Sequence, residues 1–297
     1  MVTGKQKLIC VVGTTASGKS DFGVELAKKY GGEIISADSR QVFRGLDLGS
    51  GKITPEEMQG VPHHLLDVRM PNEFFSMADF QAMAYAAIDD ILRRGRQPLL
   101  VGGTGLYVDS VAEGYQLSGE APDLDYRAHL ETFETPVLYQ MLLQLLPDTD
   151  VDPKNRNRVM RLLERIHAGD DLTPRKEARY DVLKLGLTFP RPELCQRIDQ
   201  RLIRRLDAGM VDEIRCLLSE GATPEFLDGL GLEYRYVYRY VAGMLTWEEM
   251  LDELSRAIKR FAKRQMIWFR RDKSILWLDM AADPMTQACQ AIDAFLA

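Results

Sequence analysis

Leu8-Ile9-Cys10-Val11-Val12-Gly13-Thr14-Thr15-Ala16-Ser17-Gly18-Lys19-Ser20 is the stretch on which the fold turns. Its first five residues are apolar and partly β-branched, the pattern of a short buried strand. Its last eight fit G-x-x-x-x-G-K-[ST], the phosphate-binding loop. Phe22, Leu26 and Ala27 follow at helical spacing, with Lys28 and Lys29 in the last turn and Gly31-Gly32 as the stop. Strand, loop and helix in that order are the context the motif requires. In such a loop the glycines let the backbone close around an anion, and the N–H groups and helix N-terminus supply partial positive charge. Lys19 adds a full charge, and Ser20 a hydroxyl for Mg²⁺. Gly13, Thr14, Thr15, Ala16, Ser17, Gly18, Lys19 and Ser20 are therefore the candidate diphosphate-binding residues, with Ser20 the candidate metal ligand. Read alone, the motif suits any di- or triphosphate, ATP included.

Outward from the loop the chain alternates strands and helices. Glu33-Ile34-Ile35-Ser36-Ala37-Asp38 reads as a second strand, Pro98-Leu99-Leu100-Val101 as a third, and Val182 to Leu187 and Ile275 to Leu278 as later ones. That alternation predicts an α/β fold with a doubly wound parallel sheet. Ligands of such sheets bind beyond the carboxyl ends of the strands. Asp38 ends the second strand and is expected near the phosphate loop if the two strands run parallel; a turn-capping role is the simpler alternative. Ser39-Arg40-Gln41 after it is rich in donors. The third strand ends in Gly102-Gly103-Thr104-Gly105, where a motor or switch ATPase would carry a metal-binding Asp. Glycines there let backbone approach a ligand, and Thr104 offers a hydroxyl. The arrangement suits holding a substrate better than hydrolysing ATP.

Between Gly114 and Tyr180 the texture changes. Pro122, Pro136, Pro147 and Pro153 punctuate it, and Leu138, Met141, Leu142, Leu145 and Leu146 fall at helical spacing. Residues 1–114 and 181–297 are read as the α/β core, and 115–180 as a small helical insertion domain. The insertion carries a basic patch of Lys154, Arg156, Arg158, Arg161 and Arg165, diluted by Glu164. Elsewhere, His63 and His64 are adjacent and do not face the same way on a regular element, which argues against a shared metal and for satisfied structural histidines. Ser76 and Asp79 form a capping box at the start of a helix.

Three further segments matter. Glu193 to Glu220 reads as one long helix with Arg197, Arg201, Arg204 and Arg205 along it. Tyr234 to Tyr240 alternates tyrosine with Arg235 and Arg239. That pattern suits either base stacking with phosphate contacts or a buried aromatic face. The last helix, from about Trp247 to Arg271, puts Leu251, Leu254, Ile258, Phe261, Ala262 and Trp268 on one face. Arg256, Lys259, Arg260, Lys263, Arg264 and Arg270 lie on the other. A stripe of one sign in a chain of net charge −6 suggests a polyanion contact.

Bulk properties narrow the class. A chain of 297 residues holds one large or two smaller domains. Cys10, Cys195, Cys216 and Cys289 are scattered without a C-x-x-C, which argues against a zinc site and a disulfide framework. No apolar segment has signal-peptide or transmembrane character, so a cytoplasmic protein with no membrane partner, and a monomer, is expected.

Several runs together resemble the tRNA dimethylallyltransferase (isopentenyltransferase) family. They are the G-x-T-A-S-G-K-S loop, Ser36 to Gly45, Pro62 to Asp67, Val101 to Tyr107, and Ala262-Lys263-Arg264-Gln265 with Trp268 and Arg270. In the insertion, Asn157-Arg158 through Arg161-Leu162-Leu163-Glu164 is similar to the family's N/Q-R-x-x-R-A-L-E segment. Two departures are Thr14, where the family usually has Pro, and Glu233, where its G-Y-R turn has Gly. The resemblance implies transfer of a dimethylallyl group from dimethylallyl diphosphate to the exocyclic N6 of the adenosine beside the anticodon of tRNA. Diphosphate would leave, with Mg²⁺ as cofactor and the anticodon stem-loop as partner. It implies Asp38 and Thr104 as catalytic residues and Arg201 as a further diphosphate ligand. It implies Asp38, Ser39, Arg40, Gln41, Thr104, Arg127, Asn157, Arg158, Arg161, Arg235, Lys263 and Arg264 as tRNA contacts. A small-molecule kinase using the same loop, an RNA-binding protein with a relic loop, and a transferase acting on free adenine nucleotides are the alternatives.

Overall fold

The computed structural model describes residues 4–117, 123–173 and 175–297; Pro122 lies outside them. The chain forms two units. One takes in the chain up to Gly114 and again from Ala178 onward; the other is Tyr115–Glu177, ending three residues before 180.

The first unit is built on a parallel sheet of six strands in the order β3-β2-β4-β1-β5-β6. They are β1 (Lys7–Gly13), β2 (Gly32–Ser36), β3 (His63–His64), β4 (Gln97–Gly102), β5 (Asp181–Thr188) and β6 (Leu276–Asp279). β1 is central, with Val11 opposite Val101 of β4 on one side and Leu185 of β5 on the other. Its residues from Leu8 onward are buried, as strands covered on both faces must be. β2 is parallel to β1 but not beside it, because β4 lies between them.

Alternation along β1 sorts the helices into layers. Ile9 and Val11 pack with α1 (Lys19–Lys29) and the C-terminal α13 (Pro284–Leu296). Leu8, Cys10 and Val12 pack with α3 (Met77–Arg93) and α4 (Gly105–Ala112) on the opposite face. A short α2 (Pro55–Met58) precedes β3. α3 starts on the expected capping box, Ser76 Oγ accepting from Asp79 N at 3.1 Å and Asp79 Oδ2 accepting from Ser76 N at 2.8 Å. His63 Nδ1 meets Val61 O at 2.9 Å and His64 Nε2 meets Glu33 Oε2 at 2.8 Å, so both rings have internal partners.

In the second unit α5 (Leu124–Glu131), α6 (Thr135–Leu145) and α7 (Arg156–His167) close around Leu130, Leu138, Leu142, Val159 and Leu163. Of the spaced apolar residues of α6, Leu138 and Leu142 are buried, whereas Leu145 faces outward.

The remainder of the first unit is helical: α8 (Arg191–Asp207), α9 (Met210–Ser219), α10 (Pro224–Leu230), α11 (Leu232–Val241) and α12 (Trp247–Phe269). The single helix expected from Glu193 to Glu220 is thus two. Gly209, at φ 101°, takes a left-handed conformation that ends α8 and starts α9. The apolar periodicity runs through the break because both helices bury Ile198, Leu202, Met210, Ile214 and Leu217 in one cluster. Tyr234 is fully buried in that cluster, and Tyr236, Tyr238 and Tyr240 pack against it. The tyrosine–arginine run therefore forms a core face rather than a stacking platform.

Candidate active site

A cleft of about 730 Å³ opens beyond the carboxyl ends of β1, β2 and β4, lined by residues of the first unit. Its floor is the phosphate loop. Gly13 must lack a side chain, since a Cβ there would lie 2.8 Å from Leu187 O. Ala16 at φ 61° and Gly18 at φ 82° are left-handed turns that curl successive N–H groups toward a concavity at the N-terminus of α1. Thr15, Ala16, Gly18, Lys19 and Ser20 line the cleft, while Gly13, Thr14 and Ser17 are buried behind them.

One wall is an arginine ladder on α8. Arg197, Arg201 and Arg205 are four residues apart, so they share a helix face. Arg197 Nε donates to Ala16 O at 3.0 Å and so latches α8 onto the loop. A side chain on Gly51 would overlap the guanidinium groups of both Arg201 and Arg205, so that glycine makes room for them. The crowding of cations has a chemical consequence. Burial, then the neighbouring Arg201, holds the Lys19 ammonium down at about 7, with Asp38 opposing. Burial, then Arg205, brings Arg201 down to about 10. In the free site Lys19 donates to Thr14 O at 2.6 Å. An anion in the cleft would meet a field built in advance.

Asp38 stands across the cleft. Its Oδ1 accepts from Arg40 N at 2.9 Å, which is the turn-capping role weighed from sequence, yet the side chain also lines the cavity. Glycines explain how it gets there. A Cβ on Gly102 would overlap the Ala37 carbonyl, so β4 can let the end of β2 pass close above it. Ala37 O then accepts from Thr104 N, and Thr104 Oγ1 accepts from Ser39 N, both at 3.2 Å. Thr104 is tied to the residue after Asp38, although it does not itself line the cleft. Arg40 and Gln41 do line it, and both have internal partners. Arg40 Nε donates to Leu230 O at 3.2 Å, and Gln41 Nε2 to Gly51 O at 3.1 Å.

The other expected RNA contacts are dispersed. Arg235 Nε donates to Asp228 O at 2.8 Å and stays outside the lining. Lys263 and Arg264 are exposed on α12. Arg127, Asn157, Arg158 and Arg161 belong to the second unit. There the buried Glu164 carboxylate accepts from Arg127 at 2.8 Å and Arg161 at 3.2 Å, while Asn157 and Arg158 are exposed.

Glu233 and Gln265 line the cleft as well, though the sequence assigns neither a role in binding the donor. Glu233 is buried between Arg205 and Arg40. Gln265 is buried under the loop, accepting from Thr15 N and donating to Gly103 O, each at 2.8 Å. Gln265 had a signal: it is a polar residue inside the apolar stripe of α12.

The donor set also fits a hard divalent cation. Ser20 is exposed at the first turn of α1, with the carboxylates of Asp21 and Asp38 on the same cleft. Among the described residues no three His, Cys, Asp or Glu side chains cluster as a protein-only metal cage.

At the level of class, this is a P-loop α/β enzyme. The family model for IPP transferase matches residues 41–272. Curated tRNA dimethylallyltransferases from Anoxybacillus flavithermus and Halalkalibacterium halodurans are each 41% identical, over 94% and 99% of this chain and 92% and 97% of their own length. The crystal structure of full-length tRNA isopentenylpyrophosphate transferase from Bacillus halodurans matches with a TM-score of 0.75 at 40% identity, covering 98% of this chain and 96% of that one. A eukaryotic dimethylallyltransferase acting on tRNA matches at 0.79 with 26% identity, over 97% of this chain and 78% of its own. The chain belongs to the IPP transferase family and is a prenyltransferase. Among its described residues no helix is long and apolar enough to cross a membrane.

Proposed function

We propose that this enzyme transfers a dimethylallyl group from dimethylallyl diphosphate to the exocyclic N6 of the adenosine next to the anticodon in tRNA, releasing diphosphate. One observation carries the reading: a single cleft holds the phosphate loop with Lys19, the Arg201 guanidinium and the Asp38 carboxylate. The donor diphosphate lies on the loop amides, Lys19 and Arg201. The acceptor adenine, turned out of its stack, enters from the Asp38 and Thr104 side. N6 attacks the first allylic carbon, the bond from that carbon to the diphosphate oxygen breaks, and Asp38 takes the N6 proton. That amine is conjugated with the ring and weakly nucleophilic, which is why a carboxylate beside it matters. Charge grows on the leaving oxygen, and Lys19, Arg201 and the loop N–H groups stabilise it. Mg²⁺ held by Ser20 and the diphosphate would supply further neutralising charge to the leaving group. Thr104 orients the acceptor. Ser39, Arg40 and Gln41, with Arg127, Asn157, Arg158, Arg161, Arg235, Lys263 and Arg264, grip the RNA.

The test is incubation with labelled dimethylallyl diphosphate and tRNA, with labelled ATP and small acceptors in parallel. Label is expected in tRNA from the prenyl donor. Transfer from ATP alone would make the protein a kinase. Asp38→Asn keeps an oxygen for Arg40 N but cannot take a proton. It is expected to abolish transfer while tRNA still binds. Lost binding with normal turnover of bound tRNA would overturn the base assignment.

A further inference from the structure

Every buried residue of α12 except one is apolar: Met250, Leu254, Ala257, Ile258, Ala262 and Phe269 share that side with Gln265. A buried primary amide is costly unless its groups are paired. Here both ends are paired, and both partners are backbone. Oε1 accepts from Thr15 N and Nε2 donates to Gly103 O, each at 2.8 Å. Thr15 is in the loop after β1, and Gly103 is in the turn after β4 that continues into Thr104. One side chain therefore bridges the two strand ends that carry the phosphate loop and Thr104. Gly103 is shaped for this contact, since a Cβ there would lie 2.7 Å from Gln265 Nε2. Lys263 and Arg264, the neighbouring residues, point outward on the same helix.

We propose that Gln265 is a positioning residue that fixes the curvature of the phosphate loop for the donor diphosphate. The inference rests on the reading of that loop as the donor site. Gln265 takes the Thr15 N–H for itself, so the diphosphate is left with the amides further along, at Gly18, Lys19 and Ser20, where α1 begins. It pins the entrance of the loop while the anion occupies the far end. It holds that entrance at a set distance from the Thr104 turn, so the donor and acceptor sites keep one spacing.

Gln265→Met keeps the length and bulk of the side chain and removes both hydrogen bonds. Gly103→Ala leaves Gln265 in place and pushes its amide away. Calorimetric titration with inorganic pyrophosphate, the probe, is run on wild type, both variants and the double variant, with melting curves beside it. Each variant is expected to bind pyrophosphate about tenfold more weakly, with a matching rise in KM for dimethylallyl diphosphate and none in KM for tRNA. The double variant is expected to be no worse than Gln265→Met, because both act through one contact. A packing role alone predicts a lowered melting temperature for Gln265→Met with unchanged pyrophosphate affinity, and that result overturns the proposal. If Gln265→Met does not fold, Gly103→Ala with wild-type pyrophosphate affinity overturns it equally. Failure of wild type itself to bind pyrophosphate would instead sink the donor-loop reading, and the inference with it.

Discussion

Glu233 Oε1 lies 3.4 Å from Arg205 Nη1, and Glu233 Oε2 lies 3.6 Å from Arg40 Nη1. The carboxylate is a counter-charge shared by two arginines of the cleft, in the position where the resemblance leads one to expect glycine. Burial lowers the pKa of Arg205, and Glu233 works against that lowering. The same carboxylate competes with any anion for those guanidiniums. Glu233→Gln is therefore expected to act in opposite directions on two measurements. The fold should lose about 1–3 kcal/mol, because two half-buried cations lose their buried partner. Pyrophosphate should bind more tightly, since Arg205 and Arg40 are released to it. Denaturant titration and calorimetry on one preparation check both; weaker pyrophosphate binding would assign Glu233 to orienting the arginines instead.

Lys19 makes donor binding pH-dependent. Its ammonium titrates near 7 in the free site, against an ordinary value of 10.5. A bound diphosphate favours the charged form, so binding above pH 7 draws a proton into the site. Pyrophosphate affinity should fall about tenfold per pH unit above 7, until Lys19 in the complex itself titrates. Calorimetry in buffers of different ionisation enthalpy should register that proton uptake. The sign for stability is opposite to the usual one for lysine. Between about 7 and 10.5 the unfolded chain binds more protons than the folded one, so this group adds stability as pH rises through that window. Lys19→Met should abolish pyrophosphate binding and yet raise the melting temperature at pH 7 by at least about 2 °C.

Glu33 anchors the strand that leads to Asp38. It is buried, its carboxylate accepting from Arg94 Nη2 and meeting His64 Nε2, both at 2.8 Å. The Arg94 hydrogen bonds, followed by His64, overcome burial and hold the Glu33 pKa at about 2. This stability is complete above the unfolded value of 4.5 and is lost as pH falls from there through about 2. Glu33→Gln should lower stability at pH 7, because Arg94 loses its charged partner on β2 and keeps only Asp90. The gap between wild type and variant should narrow by pH 3. Equal gaps at both pH values, read by urea titration, would show the pair to be energetically silent.

Much of this site is legible because its determinants are local. The strand–loop–helix run from Leu8 to Ala27 fixes its own conformation, and the Ser76–Asp79 box starts a helix with nearest neighbours alone. Arg197, Arg201 and Arg205 are also legible as one helix face, but only the resemblance, through Arg201, says which cavity that face meets. That depends on β4 coming between β1 and β2, a pairing of distant segments. The break at Gly209 is hidden for a related reason, because both helices bury the same cluster and the apolar period continues across it. Glu233 and Gln265 were visible as oddities of sequence, a carboxylate in place of glycine and an amide in an apolar stripe. Their partners, Arg205 and Thr15, are separated from them by 28 and 250 residues.

The basic stripe of α12 divides into two halves with different expected behaviour toward RNA. Arg256 is paired with Asp252, and Lys259 Nζ lies 2.6 Å from Asp199 Oδ2. Further along, Arg260, Lys263 and Arg270 have no ion pair among the described residues, and Arg264 lies over the Phe261 ring at 5.7 Å. A cation already held by a carboxylate releases few counterions from RNA, whereas a free one releases about one. Lys263→Ala should weaken binding of an anticodon stem-loop RNA and lower the slope of log K against log salt by about one. Removing Lys259 alone would leave Asp199 uncompensated and repel RNA for that reason, so the pair is removed together, as Lys259→Ala with Asp199→Asn. That double variant should leave the slope unchanged between about 50 and 200 mM salt. Fluorescence anisotropy titrations across that range measure both. A slope reduced equally in the two variants would mean that the Asp199 pair opens on RNA, and that the whole stripe, not its C-terminal half, meets the phosphates.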